Sequence, residues 1–184
     1  MYKTGFTFQK ILLMKGYKFF LLANFILICT FVAGQNFEVP ANYQLNTKED
    51  YSRYEKDVIE ATKWLQSTPL NEQKEKREQG SAFVIKWVNG SPTVNVELNS
   101  NILGFDEKNP GMLALYMAGS AKYVLENNYS KDMRAKHKAA LKGMIGVYKS
   151  GKGIKKDKKM EKLIKSNEDD KLDEWLSENL KVNQ

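Results

Sequence analysis

Between Asn109 and Glu126 the chain reads NPGMLALYMAGSAKYVLE. From Met112 to Leu125 apolar side chains occupy nearly every direction of a 3.6-residue period, and Ala114, Ala118, Gly119, Ser120 and Ala121 are small. A helix of that composition has no solvent face. It belongs at the centre of a domain, with neighbours packed closely on several sides. Asn109-Pro110 reads as its start, because the first helical position has no use for the N–H that proline lacks. Asn127-Asn128 breaks it.

Working outward, the flanking segments read as helices with one apolar face. Ser130 is placed to cap a helix running to about Tyr148, with Leu141, Met144, Ile145 and Tyr148 facing inward. Two short helices follow, one carrying Met160, Leu163 and Ile164, the other Leu172, Trp175, Leu176 and Leu180. Upstream, Thr47 stands three residues before Asp50, a capping-box pattern. Tyr51, Tyr54, Val58, Ala61 and Leu65 then recur at spacings of three and four, which predicts one helix over 48–66, ended by Pro69. A second helix begins near Asn71. Its charged first part, Glu72 to Gln79, is expected in solvent, and Phe83, Val84, Trp87 and Val88 form its buried edge.

Residues 82–98 admit two readings. Asn89-Gly90 between apolar runs, with Val94, Val96 and Leu98 alternating, fits a β-hairpin. Gly90 followed by Pro92 also fits a helix C-cap, and helix to about Asn89 with a short extended segment over 93–98 is the favoured reading. The expectation is therefore a mainly α fold, a bundle or irregular stack of about six helices, with an extended segment or hairpin around 82–98.

The chain has 184 residues, of which 42% are hydrophobic and 28% charged, values of an ordinary globular protein rather than a disordered one. The N-terminus differs from the rest. Lys15 and Lys18 precede FFLLANFILICTFVAG (Phe19 to Gly34), and polar sequence begins at Gln35. A basic start, an apolar centre and a small-residue end make a signal peptide covering 1–35, with Met14 as an alternative start. The run is shorter than the ~20 residues that a membrane span needs, although an uncleaved anchor is the competing reading. Export, to periplasm or cell surface, and a single helical domain over 36–184 follow as expectations. Cys29, the only cysteine, lies in the apolar run. Ile26, Leu27 and Ile28 before it are poor neighbours for a lipidation site.

The same removal changes the charge. Residues 1–34 hold four lysines and no acid, so the formal +7 of the chain, from 29 basic and 22 acidic residues, falls to +3. A nucleic-acid-binding reading loses most of its support.

The segments KWLQSTPL (Lys63–Leu70), FVIKWVNGSPTV (Phe83–Val94), KNPGMLALYMAGSAKYVLE (Lys108–Glu126) and GIKKDKKMEKLI (Gly153–Ile164), after a signal ending in Gly-Gln, resemble a group of small exported proteins of Bacteroidetes-type bacteria. The resemblance covers most of the mature chain. It implies export and a helical fold; the group carries no assigned activity, so no functional residue transfers.

Candidate chemistry is sparse. GVYKSGKG (Gly146–Gly153) approaches P-loop spacing, but Gly153 stands where a magnesium-binding Ser or Thr is required, and a helix C-cap is the better reading. His137, the only histidine, lies between Lys136 and Lys138 and is expected in solvent. No cofactor or metal site is expected, since zinc and triad chemistry need more histidine or cysteine than the mature chain holds. Asp106-Glu107 is placed in a loop and Glu168-Asp169-Asp170 at a helix start, where the dipole favours acids. Tyr51, Tyr54, Trp64, Trp87, Tyr116 and Tyr123 read as inter-helix packing ahead of a ligand pocket. Asn89-Gly90-Ser91 and Asn128-Tyr129-Ser130 match the glycosylation sequon, inert in a bacterial source.

The strongest electrostatic feature is the run from Lys149 to Lys165. Lys149, Lys152, Lys155, Lys156, Lys158, Lys159, Lys162 and Lys165 face only Asp157 and Glu161, a local charge of +6. A solvated helix face is one reading, contact with an anionic surface the other. The function expected from these residues is a non-catalytic binding or structural role in the cell envelope, with an envelope protein or anionic surface as partner. The alternatives are a carboxylate-based enzyme acting on envelope material and peripheral attachment to anionic lipid.

Overall fold

The computed structural model describes residues 37–180. The signal peptide expected over 1–35, with Met14 and Cys29, lies outside the described residues. Among those described, the fold is all helical, with eight helices and no strand.

Thr47 completes its capping box. Its hydroxyl accepts from the Asp50 N–H at 3.2 Å, and the Asp50 carboxylate accepts from the Thr47 N–H at 3.0 Å. Helix α1, Lys48–Arg53, follows. The expected single helix is divided at Tyr54, which leaves helical geometry at φ −97°, ψ 7°, before α2, Glu55–Ser67. The break sets the two aromatic residues on separate partners: the Tyr51 ring tilts against Trp87 and the Tyr54 ring stands edge-on to Phe83. The Trp87 indole also donates to the Tyr51 carbonyl at 2.9 Å.

Helix α3 spans Lys74–Gly90 and buries Phe83, Val84, Trp87 and Val88. It begins after Gln73 rather than at Asn71, and its charged start is not wholly in solvent. Arg77 is buried and donates through Nη1 to the Leu65 and Thr68 carbonyls, both at 2.9 Å. It thereby satisfies carbonyls at the C-terminus of α2 that have no intrahelical partner. The hairpin alternative falls: α3 continues to Gly90, and residues 93–98 run on without ladder pairing. Ser91 Oγ accepts from the Thr93 and Val94 N–H groups, turning the chain so that Val94 enters the core. Asn99 caps the single-turn α4, Ser100–Leu103.

The central helix α5 is Met112–Glu126. Its start differs from the expected one. Pro110 stays outside, and Gly111 turns the chain at φ +101°, a conformation that favours glycine. Asp106 reaches forward to accept from the N–H groups of Gly111 and Leu113, at 2.8 and 3.0 Å. A loop carboxylate thus caps a helix that starts two residues beyond Pro110, the expected first helical position. Helices α2, α3 and α6 surround α5. The approach to α6 is close: a Cβ on Gly119 would lie 2.9 Å from the Ala140 Cα.

Helix α6, Met133–Lys149, is capped by Asp132, whose carboxylate accepts from the Ala135 N–H. Ser130, expected as the cap, sits two residues earlier and accepts from the Asp132 N–H. Helix α7, Lys158–Glu168, and helix α8, Leu172–Leu180, pack on each other and on α6. The acidic triplet is not at a helix start: Glu168 ends α7, and Asp170 adopts φ 56° in the turn before α8.

Candidate functional site

The chain puts its one histidine in an unexpected place. Lys136 and His137 face inward from the first turns of α6, with 4% and 2% of their surfaces exposed. This corrects the solvated reading of His137. The charged neighbours that suggested a surface position are themselves divided, Lys136 turning into the protein and Lys138 outward to Asp173.

Lys136 is buried because every donor of its ammonium finds a partner. It donates to the Asn95 carbonyl at 2.8 Å, to Glu97 Oε2 at 2.7 Å, and lies 3.1 Å from Met133 Sδ. The other carboxylate oxygen, Glu97 Oε1, accepts from the Asn95 side-chain amide at 3.0 Å. His137 Nε2 stands 3.8 Å from Glu97 Oε2, and His137 Nδ1 is hydrogen-bonded to the Tyr116 hydroxyl, with the two rings stacked. Burial, helped by the Lys136 charge and opposed by Glu97, pulls the imidazole below its ordinary pKa. Burial, helped by the Glu97 charge, holds the Tyr116 phenol well above its own. A neutral imidazole and a protonated phenol use both ring nitrogens when Tyr116 donates to Nδ1 and Nε2–H points at Glu97.

Above Lys136 and Glu97 lies an open groove of about 410 Å³, walled by the 92–97 segment on one side and the α5–α6 turn on the other. That turn is strained. Asn128 and Tyr129 both take positive φ, 52° and 57°. Asparagine tolerates this; for tyrosine it costs about 1–2 kcal/mol. The strain stands Tyr129 at the groove rim, 48% exposed, its hydroxyl donating to Glu55 at 2.8 Å. The Glu55 carboxylate raises the Tyr129 pKa through that hydrogen bond. Exposed Lys131 and partly buried Met133 also line the groove. None of this is legible in sequence, apart from the Asn-Asn break that precedes Tyr129.

Two other grooves lie on the described residues. One of about 460 Å³ lies between α6 and the α7–α8 turn, lined by Lys138, Lys142, Lys149 and Asp170. One of about 270 Å³ is lined by Lys74, Arg77, Glu78 and Gly111. The six aromatic residues singled out in sequence line none of the three, and all six pack within the core or against it. Gly146–Gly153 is a helix end: α6 stops at Lys149, and Gly151 and Gly153 follow at φ 70° and 73°.

The eight lysines from Lys149 to Lys165 are all exposed, and they separate into two sets. Lys149 pairs with Glu168, Lys152 with Glu72 and Lys159 with Glu107, at 2.7, 3.6 and 3.4 Å. Lys155, Lys156, Lys158, Lys162 and Lys165 form no ion pair among the described residues. Lys155 is fixed through its backbone, since the buried Asn109 side chain both donates to its carbonyl and accepts from its N–H.

No family model, no curated protein and no solved structure matches this chain. Among the described residues no helix is long and apolar enough to cross a membrane.

Proposed function

We propose that this chain is an exported, non-catalytic binding domain of the bacterial cell envelope, holding a segment of another envelope protein in the groove beside Tyr129. Glu97 supports this most directly: both of its oxygens are already held, by Asn95 and Lys136, so it is a poor general base. The alternative of a carboxylate enzyme needs two facing acids. Each of the three grooves is lined by one, Glu97, Asp170 or Glu78. What the groove beside Tyr129 does offer is a floor of hydrogen-bonded Lys136 and Glu97, an aromatic wall held against strain, and an ammonium at Lys131. Strain retained at an exposed position is characteristic of recognition sites, and about 410 Å³ suits a few side chains of a partner. Export rests on the apolar run and its small-residue end.

A photo-crosslinking residue at Lys131 tests the reading in cells. The control is the same probe at Glu75, at the far end of α3 from the groove. One envelope protein captured from position 131 and not from 75, by a chain whose mass begins near Gln35 or Asn36, is the expected result. Equal capture from both positions, or none from either, ends the proposal.

A further inference from the structure

We infer that the outward crest of α7, with the turn before it, is an electrostatic contact face for an anionic lipid surface. Helix α7 buries Met160 and Leu163. At 100° per residue Lys158, Lys162 and Lys165 fall together on the opposite side, spaced i, i+4, i+7. They follow one line about 10 Å long. Lys155 and Lys156 extend it into the preceding turn, which Asn109 holds in place.

Most of the acids nearby are directed elsewhere. Asp157 is buried and accepts from the Lys159 and Met160 N–H groups, neutralising the start of α7. Glu161 receives the Tyr148 hydroxyl at 3.3 Å. Glu107 and Glu168 engage Lys159 and Lys149 on the flanks. The crest is left with five ammonium groups that make no ion pair among the described residues and one exposed acid, Glu161, beside them, a net positive pattern complementary to a sheet of anionic headgroups.

The chemistry around it narrows the partner. Lys149 to Lys165 contains no arginine for bidentate phosphate contacts, and its nearest aromatic residue, Tyr148, is buried. Stacking on bases, which nucleic-acid grooves rely on, is therefore absent. The five crest lysines line none of the three grooves, so a small anion has no enclosure there. Insertion is also disfavoured, because the apolar side of α7 already faces the core. The contact is Coulombic, and salt weakens it.

The test is co-sedimentation of the full chain with vesicles, one set containing phosphatidylglycerol and the other phosphatidylcholine alone. Each crest lysine is worth roughly fivefold in binding, so Lys158→Gln, Lys162→Gln, Lys165→Gln together lower affinity for the anionic vesicles roughly a hundredfold. Lys149→Gln, Lys152→Gln, Lys159→Gln, which removes the same charge from paired positions, lowers it much less. The gap between the two variants closes at about 0.5 M salt, where the Debye length is only a few ångströms. Lys162→Gln alone, fivefold weaker, gives the same reading without a heavy change of charge. Equal loss in the two triple variants, or a crest variant that binds as the unaltered chain does, overturns the inference. So does displacement by millimolar inorganic phosphate, which points to a discrete anion site instead.

Discussion

Protonating His137 is harder in the folded chain than in the unfolded one. The groups around it are Lys136, which repels a second charge, Glu97, which partly offsets that, and Tyr116. Because the folded pKa is depressed, the unfolded chain takes up the proton first as pH falls below about 6.5, and stability declines until the folded imidazole follows. The urea midpoint is expected to drop between neutral pH and about pH 5, and His137→Gln should flatten that part of the profile. A midpoint that falls equally in both proteins would place the titrating group elsewhere. Asp50 and Asp173, lowered by backbone hydrogen bonds and by Lys138 respectively, act in a separate window below 3.8. The burial of this residue is not written locally. Lys-His-Lys reads as surface, and the partner that draws Lys136 inward, Glu97, is 39 residues away along the chain. The lysine run is the opposite case: its charge is plain in sequence, but the division into paired and unpaired members depends on Glu72, Glu107 and Glu168 arriving from other elements.

Among the elements, composition and period were sufficient where a helix has a single burial solution. The all-apolar run became the central α5, and the stripes at Leu141, Met144 and Ile145 or at Met160 and Leu163 became buried faces. They failed where backbone geometry decides. The apolar spacing is the same on both sides of Tyr54, so the break between α1 and α2 leaves no trace in it. The α5 start was misplaced because Asp106, a non-adjacent residue, supplies the cap. Two glycines on neighbouring helices test how the packing divides these roles. Gly119→Ala drives a methyl into the Ala140 backbone and is expected to cost about 1–3 kcal/mol, despite alanine's better helix propensity. Gly146→Ala meets nothing within 4 Å and should gain about 0.5–1 kcal/mol. Thermal denaturation of the two variants distinguishes them by sign; a gain at both would mean that α5 and α6 are farther apart than described.

Across residues 37–180 the contacts are unequal. Helix α5 is enclosed by α2, α3 and α6, whereas α7 and α8 lean on α6 and on each other. The helical core as a whole was foreseeable from the run at Met112–Leu125; the groove at Tyr129 was not, since it is built from a strained turn and an irregular segment that meet only in three dimensions. The same inequality sets a time order for solvent access to the backbone. Amides of α5 have no route to deuterium short of unfolding everything around them, so their exchange should report the global free energy. The pair α7–α8 can lift from α6 while the remainder stays closed. Its amides should label earlier and lose protection together, in mild denaturant that leaves α5 dark. If α5 and α8 instead exchange at one common free energy, the two ends of this domain open as a single body.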